Sequence, residues 1–166
     1  MPYAENTSVS VEKSRAEIES LLRKFWALEN ARQPGKYPPM RFQFYSDNIG
    51  AEITFTLRDK TIRISLPLPD PSSKEFTQKI LYGKVKKNDP SKAYALWEQA
   101  CRTRWRALAL SIKSTLTDIE AGIKTFEIAF LAYFMMQDGK TIGEHIIPRL
   151  DEAVGDSKLL LPERTA

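Results

Sequence analysis

The sequence predicts an α+β fold: an N-terminal helix, a three-stranded antiparallel β-meander, a long basic helix, then a small C-terminal hairpin and a short helix. Three observations lead there. Apolar residues recur at three- and four-residue spacing near the start and again after Pro90, they alternate at period two in between, and Pro, Gly and Asp clusters separate these regions.

Residues 10 to about 29 read as an amphipathic helix. Ile18, Leu21, Leu22, Phe25 and Leu28 form its apolar stripe, and Glu12, Lys13, Arg15, Glu17, Glu19, Arg23 and Lys24 fill the other faces. The string QPGKYPP at 33–39 ends it, because Pro fixes φ, lacks a donor and drives its preceding residue toward extended geometry. Three strands follow. Phe42 and Phe44, then Ile53, Phe55 and Leu57, then Ile62, Ile64 and Leu66 each alternate with polar neighbours. The links SDNIG and RDK are short and rich in turn formers, which predicts an antiparallel meander. One sheet face is then apolar and needs helices to cover it. The other carries Arg41, Gln43, Tyr45, Thr54, Thr56 and Arg63, with Glu52 as its acid; the ordinary reading is a solvated face, and the alternative is a binding face.

PLPDP at 67–71 stops the sheet, since a central strand does not tolerate so many missing donors. Periodicity is weak from there on and lysine is frequent, so 67–89 reads as a long basic loop. Asp89-Pro90 is a helix start, with Asp able to cap free amides and Pro preferred at the first helical position. The helix from 90 to about 121 would run roughly 45 Å, more than a small sheet covers, so part of it must contact something else. Its stripe of Tyr94, Trp97, Cys101, Trp105, Leu108, Ile112, Leu116 and Ile119 reads as core. On a wheel of about 100° per residue, Arg102, Arg106 and Lys113 cluster on one flank and Arg104 falls on the other, near Trp97.

The block IAFLAYFMM at 128–136 would leave a helix no solvent face, so it should be fully buried or covered by a second subunit, which makes a homo-oligomer an expectation. Asp138-Gly139 suits a two-residue hairpin joining 133–137 to 140–142; the alternative is a helix, turn and helix with Thr141 capping and Glu144 completing a capping box. A short helix over about 144–154, bent at Pro148, finishes the fold. One domain spanning 1–166 is expected, with 1–9 and 156–166 flexible.

The functional signal is where the charge sits. The formal net charge is +4, yet residues 74–113 hold ten Lys or Arg against three acids, a balance of +7, which leaves the rest of the chain at −3. Residues 76–88 and 99–117 contain no acid, and Tyr82, Tyr94, Trp97 and Trp105 are interleaved with the cations. Such a stretch suits a phosphate-bearing partner: charge displaces counterions, and aromatic faces stack on unpaired bases. The predicted partner is nucleic acid, with single-stranded DNA favoured. Lys79, Lys84, Lys86 and Lys87 on the loop and Arg102, Arg104, Arg106 and Lys113 on the helix would contact phosphates, while Tyr82 and an exposed Trp105 edge would stack. A solvated helix face usually mixes signs, and 99–117 offers these arginines no acid.

Little else suggests chemistry. Cys101 is the sole cysteine, which excludes an internal disulfide and multi-cysteine metal sites, and its place on the apolar stripe is that of an inert small hydrophobe. His145 is the sole histidine, and Asp138, Glu144, Asp151 and Glu152 near it read as caps and surface charge rather than metal ligands. Asp138-Gly139-Lys140-Thr141 has the GKT of a phosphate loop but lacks the upstream glycine. A two-metal nuclease would need several acids on the polar sheet face, where only Glu52 stands. A non-enzymatic protein without cofactor is therefore expected. With no apolar leader and no stretch long enough to span a bilayer, it is expected to be soluble and cytoplasmic, without membrane contact.

The strings EKSRAEIESLLRKF, IRISLPLPDP, WEQACRTRWRALALSIKSTL and DGKTIGEHIIP resemble a family of small uncharacterised proteins encoded by bacteriophages and prophages, over most of the chain. The resemblance implies the cytoplasm of an infected bacterium and an association with phage DNA replication or recombination, and it brings no catalytic residue or cofactor. Three meandering strands followed by a long helix are also similar to the core of single-strand annealing proteins, where sheet and helix form a DNA groove in a ring of subunits; that likeness is one of topology alone. The alternative function is a protein-interaction module, either a phage inhibitor of a host or defence complex or an oligomeric subunit of a phage assembly. A small basic protein can also dock an acidic surface.

Overall fold

The computed structural model describes residue 4, residues 6–150 and residue 152. Helix α1 (Val11–Arg32) begins where the Ser10 hydroxyl accepts the Lys13 N–H at 3.2 Å, and it buries Ser14, Ile18, Leu22 and Phe25 along one stripe. Strands β1 (Phe42–Ser46), β2 (Gly50–Leu57) and β3 (Lys60–Pro67) form an antiparallel sheet in that order. Asp47 Oδ1 closes the first link by accepting the N–H groups of Ile49 and Gly50 at 2.9 and 2.8 Å. The register sets Phe42 opposite Phe55 and Phe55 opposite Ile62, and likewise Phe44, Ile53 and Ile64, so the apolar side chains share one face.

The segment predicted as a long basic loop is structured. It contains a single-turn helix α2 (Lys74–Thr77) and a two-stranded hairpin of β4 (Gln78–Leu81) and β5 (Lys84–Lys87). Tyr82 and Gly83 join the strands with φ of 50° and 73°, the left-handed pair that a tight hairpin turn requires. Asn88 anchors the base: its N–H donates to Thr77 O at 2.8 Å and its Nδ2 to Phe76 O at 2.7 Å. The hairpin was hidden because Ile80 and Val85, 76% and 65% exposed, bury nothing that would enforce a period of two.

Helix α3 (Pro90–Glu120) lies beside α1 over the apolar sheet face, where Trp105, Ala109, Ile112 and Leu116 join the core with Ile18, Leu22, Phe55 and Ile62. It does outrun the sheet, and the chain itself covers the excess. Trp97 Nε1 donates to Pro69 O at 2.8 Å, α2 packs alongside, and Phe76 is buried there. Gln99 Nε2 donates to Thr7 O and Thr103 Oγ1 to Ala4 O, at 3.1 and 3.4 Å. These bonds tie Thr7 and Ala4, in the segment expected to be flexible, to α3; residues 1–3 and 5, like the predicted flexible tail at 156–166, lie outside the described residues.

Gly122, with φ 71°, follows the end of α3 in a conformation that costs glycine nothing. The apolar block then departs from the first of its two expected arrangements, full burial within the chain. It forms α4 (Phe126–Phe130) and a 3₁₀ turn (Leu131–Tyr133), burying Phe130 and Phe134 but leaving Ile128 68% and Leu131 52% exposed, so it is not fully buried. Phe134 bridges Ile62 at the edge of β3, and Met135 bridges Thr141 across the Asp138-Gly139 turn. Thr141 also caps α5 (Ile142–Ile146): its hydroxyl accepts the Glu144 N–H, and Glu144 Oε2 accepts the Thr141 N–H at 2.6 Å. Hairpin and capping box, posed as alternatives, coexist. α5 starts before the predicted 144 and gives way at Ile147–Arg149 to a 3₁₀ turn containing Pro148; residues 153–154 of that predicted helix lie outside the described residues.

Candidate nucleic-acid interface

The basic segment divides into a free part and a committed part. The free part is the β4–β5 hairpin. Its register sets Lys79 directly opposite Lys86, Leu81 opposite Lys84 and Gln78 opposite Lys87. Because successive side chains alternate, Lys79, Lys84 and Lys86 share one face, and Lys87 lies on the other with Gln78, Ile80 and Val85. Like charges directly opposite one another repel and cost the hairpin stability. Among the described residues none of these four lysines forms an ion pair, and no acid lies between residues 76 and 88 to compensate them. Tyr82 stands at the tip, fully exposed.

The committed part is the α1-facing flank of α3. Arg106 donates through Nη1 to Glu17 Oε2 of α1, and Arg102 pairs with Glu98 at 3.3 Å while donating to Gln99 Oε1 from Nε at 3.0 Å. The acids excluded by reading 99–117 alone are therefore present, one turn back in the same helix and across in α1. Arg106 is thereby tied into the α1–α3 pair and Arg102 within α3 itself, so neither is the unpaired cation that the sequence reading assumed. Trp105 is 1% exposed, so it offers no edge for stacking; that assignment is also corrected. Its burial follows from the core stripe, and the Arg15 guanidinium lies 5.6 Å from its ring and 3.3 Å from that of Phe44. Arg104 and Lys113 remain exposed, and among the described residues neither forms an ion pair. Arg104 falls on the flank of Trp97, the hairpin side, whereas Lys113 falls on the opposite flank.

Between hairpin and helix lies a groove of about 550 Å³, lined by Pro71, Gln78, Lys87, Pro90, Tyr94 and Trp97 among others. Tyr94 is 60% exposed, and its ring centroid lies 5.6 Å from that of Trp97 at an interplanar angle of 47°. The aromatic pair at this surface is thus Tyr94 and Trp97 rather than Trp105. The wheel of α3 signals only Trp97, which it sets beside Arg104; Tyr94 falls nearer Trp105.

The remaining chemistry-bearing residues sit apart. Burial pushes the Cys101 thiol up from its ordinary pKa, with Glu98 adding to the shift. His145 Nε2 lies 2.7 Å from Asp138 Oδ2, and the Asp138 carboxyl is held below its ordinary range chiefly by the Lys140 N–H and then by His145. On the polar sheet face, Arg63 is held by Glu144 at 2.6 Å and Glu52 at 3.8 Å, as a solvated and internally paired surface would be. Among the described residues, no three His, Cys, Asp or Glu side chains are grouped to hold a metal ion, and no helix is long and apolar enough to cross a membrane. Comparisons with protein-family models, curated proteins and solved structures return no match to this chain.

Proposed function

We propose that this protein binds nucleic acid without catalysing a reaction on it, through the β4–β5 hairpin and the adjoining Arg104 flank of α3, with single-stranded DNA as its partner. One observation carries the reading: Lys79 and Lys86 face each other across the hairpin and, among the described residues, neither forms an ion pair. Repulsion of that kind is relieved by an anionic ligand, and a phosphate backbone supplies evenly spaced negative charge along an extended element. Lys84 and Lys86 stand about 6.6 Å apart along β5, so that one face meets successive phosphates. Contacts of this kind position a strand without reading its sequence. The reading takes the chain to be a phage protein of the infected host's cytoplasm.

Fluorescence anisotropy at low salt, with matched single-stranded DNA, duplex DNA and RNA probes, tests the proposal. Binding that favours the single-stranded DNA probe and weakens steeply with salt supports it. Absence of binding at low salt would overturn it.

A protein-interaction module, including self-association, is the second reading. It is favoured by Ile128, Leu131 and Ile147, which are 68%, 52% and 69% exposed in the C-terminal segment. Sedimentation velocity across protein concentrations separates a self-associating chain from a monomer.

A further inference from the structure

We infer that the groove between the hairpin and α3 is a slot for an unpaired nucleobase, which would make the site selective for single strands over duplex; this rests on the nucleic-acid reading above. The volume of about 550 Å³ falls within the range of roughly 300–1,000 Å³ usual for small-ligand clefts. Pro71, Pro90, Ala93 and the Tyr94 and Trp97 rings line its apolar part and Gln78, Lys87 and Asn88 its polar part, and an exposed aromatic face accepts a base whatever its identity.

The slot is held open before any ligand arrives. The Trp97 indole is fixed by its hydrogen bond to Pro69 O, which leaves the neighbouring Tyr94 ring, 60% exposed, as the surface available to an incoming base. The hairpin wall is fixed by Asn88 Nδ2 on Phe76 O. Lys87 lines the groove and is the hairpin cation beside a seated base, while Lys79, Lys84 and Lys86 on the hairpin's opposite face are placed for backbone that continues past the slot. A paired base has both faces already stacked within its duplex, and extruding it costs a few kcal/mol by unstacking and unpairing. A single strand inserts its base without that cost.

The test compares oligothymidylate with a duplex probe, binding wild type, Tyr94→Ala, Tyr94→Phe and Lys84→Glu/Lys86→Glu. Circular dichroism confirms folding; Tyr94 is exposed and alanine favours helix. Tyr94→Ala is expected to weaken oligothymidylate binding by about 5- to 100-fold while leaving duplex binding within about twofold, and Tyr94→Phe to restore it. The lysine reversal is expected to weaken both probes. If Tyr94→Ala binds oligothymidylate like wild type while the lysine reversal does not, the slot is wrong and the nucleic-acid reading stands. If neither variant differs from wild type, that reading itself fails and the slot with it.

Discussion

The Arg58 guanidinium reaches Glu29 with Nη2 2.6 Å from Oε1, tying the turn between β2 and β3 to the last turns of α1. A second branch meets Glu127 of α4 at 3.1 Å, and the group lies 4.5 Å from the centre of the Phe126 ring. Arg58 itself sits at φ 57°, a conformation that a non-glycine residue adopts at a cost. Its hydrogen bonds to the Glu29 carboxylate raise its pKa further, so the charge persists at any working pH. One side chain thus joins α1 and α4 to the turn between β2 and β3.

Replacing Arg58 by alanine should destabilise the fold by about 1–3 kcal/mol, because charged hydrogen bonds to Glu29 are lost while the strained φ remains. Urea unfolding measures this, and Arg58→Lys should recover only part of the loss, since an ammonium cannot span both carboxylates in one plane.

Arg106 should prove structural. Arg106→Ala is expected to lower stability by about 1–3 kcal/mol and to leave the DNA affinity of the folded protein within about twofold. A double-mutant cycle with Glu17→Ala should return a coupling of about 0.5–3 kcal/mol, as groups in direct contact do.

Acid should loosen the C-terminal segment through Glu144. Its carboxyl is held below the ordinary value of 4.5, chiefly by the Thr141 N–H and next by Arg63. The unfolded chain therefore takes up a proton at higher pH than the folded one. The stabilisation is complete above about pH 4.5 and is lost as pH falls through the lower folded value. Melting temperatures between pH 6 and 3 should fall less steeply in Glu144→Gln than in wild type, with roughly a few degrees separating the curves.

Much of the fold was legible because it rests on local rules. Pro90 at the first helical position and strict alternation over 52–57 each need only neighbouring residues. Phe44 was read as core on alternation alone and is instead 46% exposed beneath the Arg15 guanidinium, because β1 is an edge strand that the helices only partly cover. The hairpin was illegible since its apolar residues point into solvent and its turn uses Tyr82, a residue seldom chosen for positive φ. Of the arginine partners, Glu98 lies four residues from Arg102 and was within reach of sequence reasoning; Glu17 lies 89 residues from Arg106 and was not.

The most direct measurement is the salt dependence of oligothymidylate binding by wild type and by a variant carrying Lys79→Gln, Lys84→Gln, Lys86→Gln and Lys87→Gln. If the hairpin holds the phosphates, the slope of log affinity against log salt should shrink by about 2–3 in the variant, at roughly 0.7 per lost phosphate contact on a single strand, with affinity falling at low salt. An unchanged slope and affinity would contradict the assignment of this hairpin as the nucleic-acid interface.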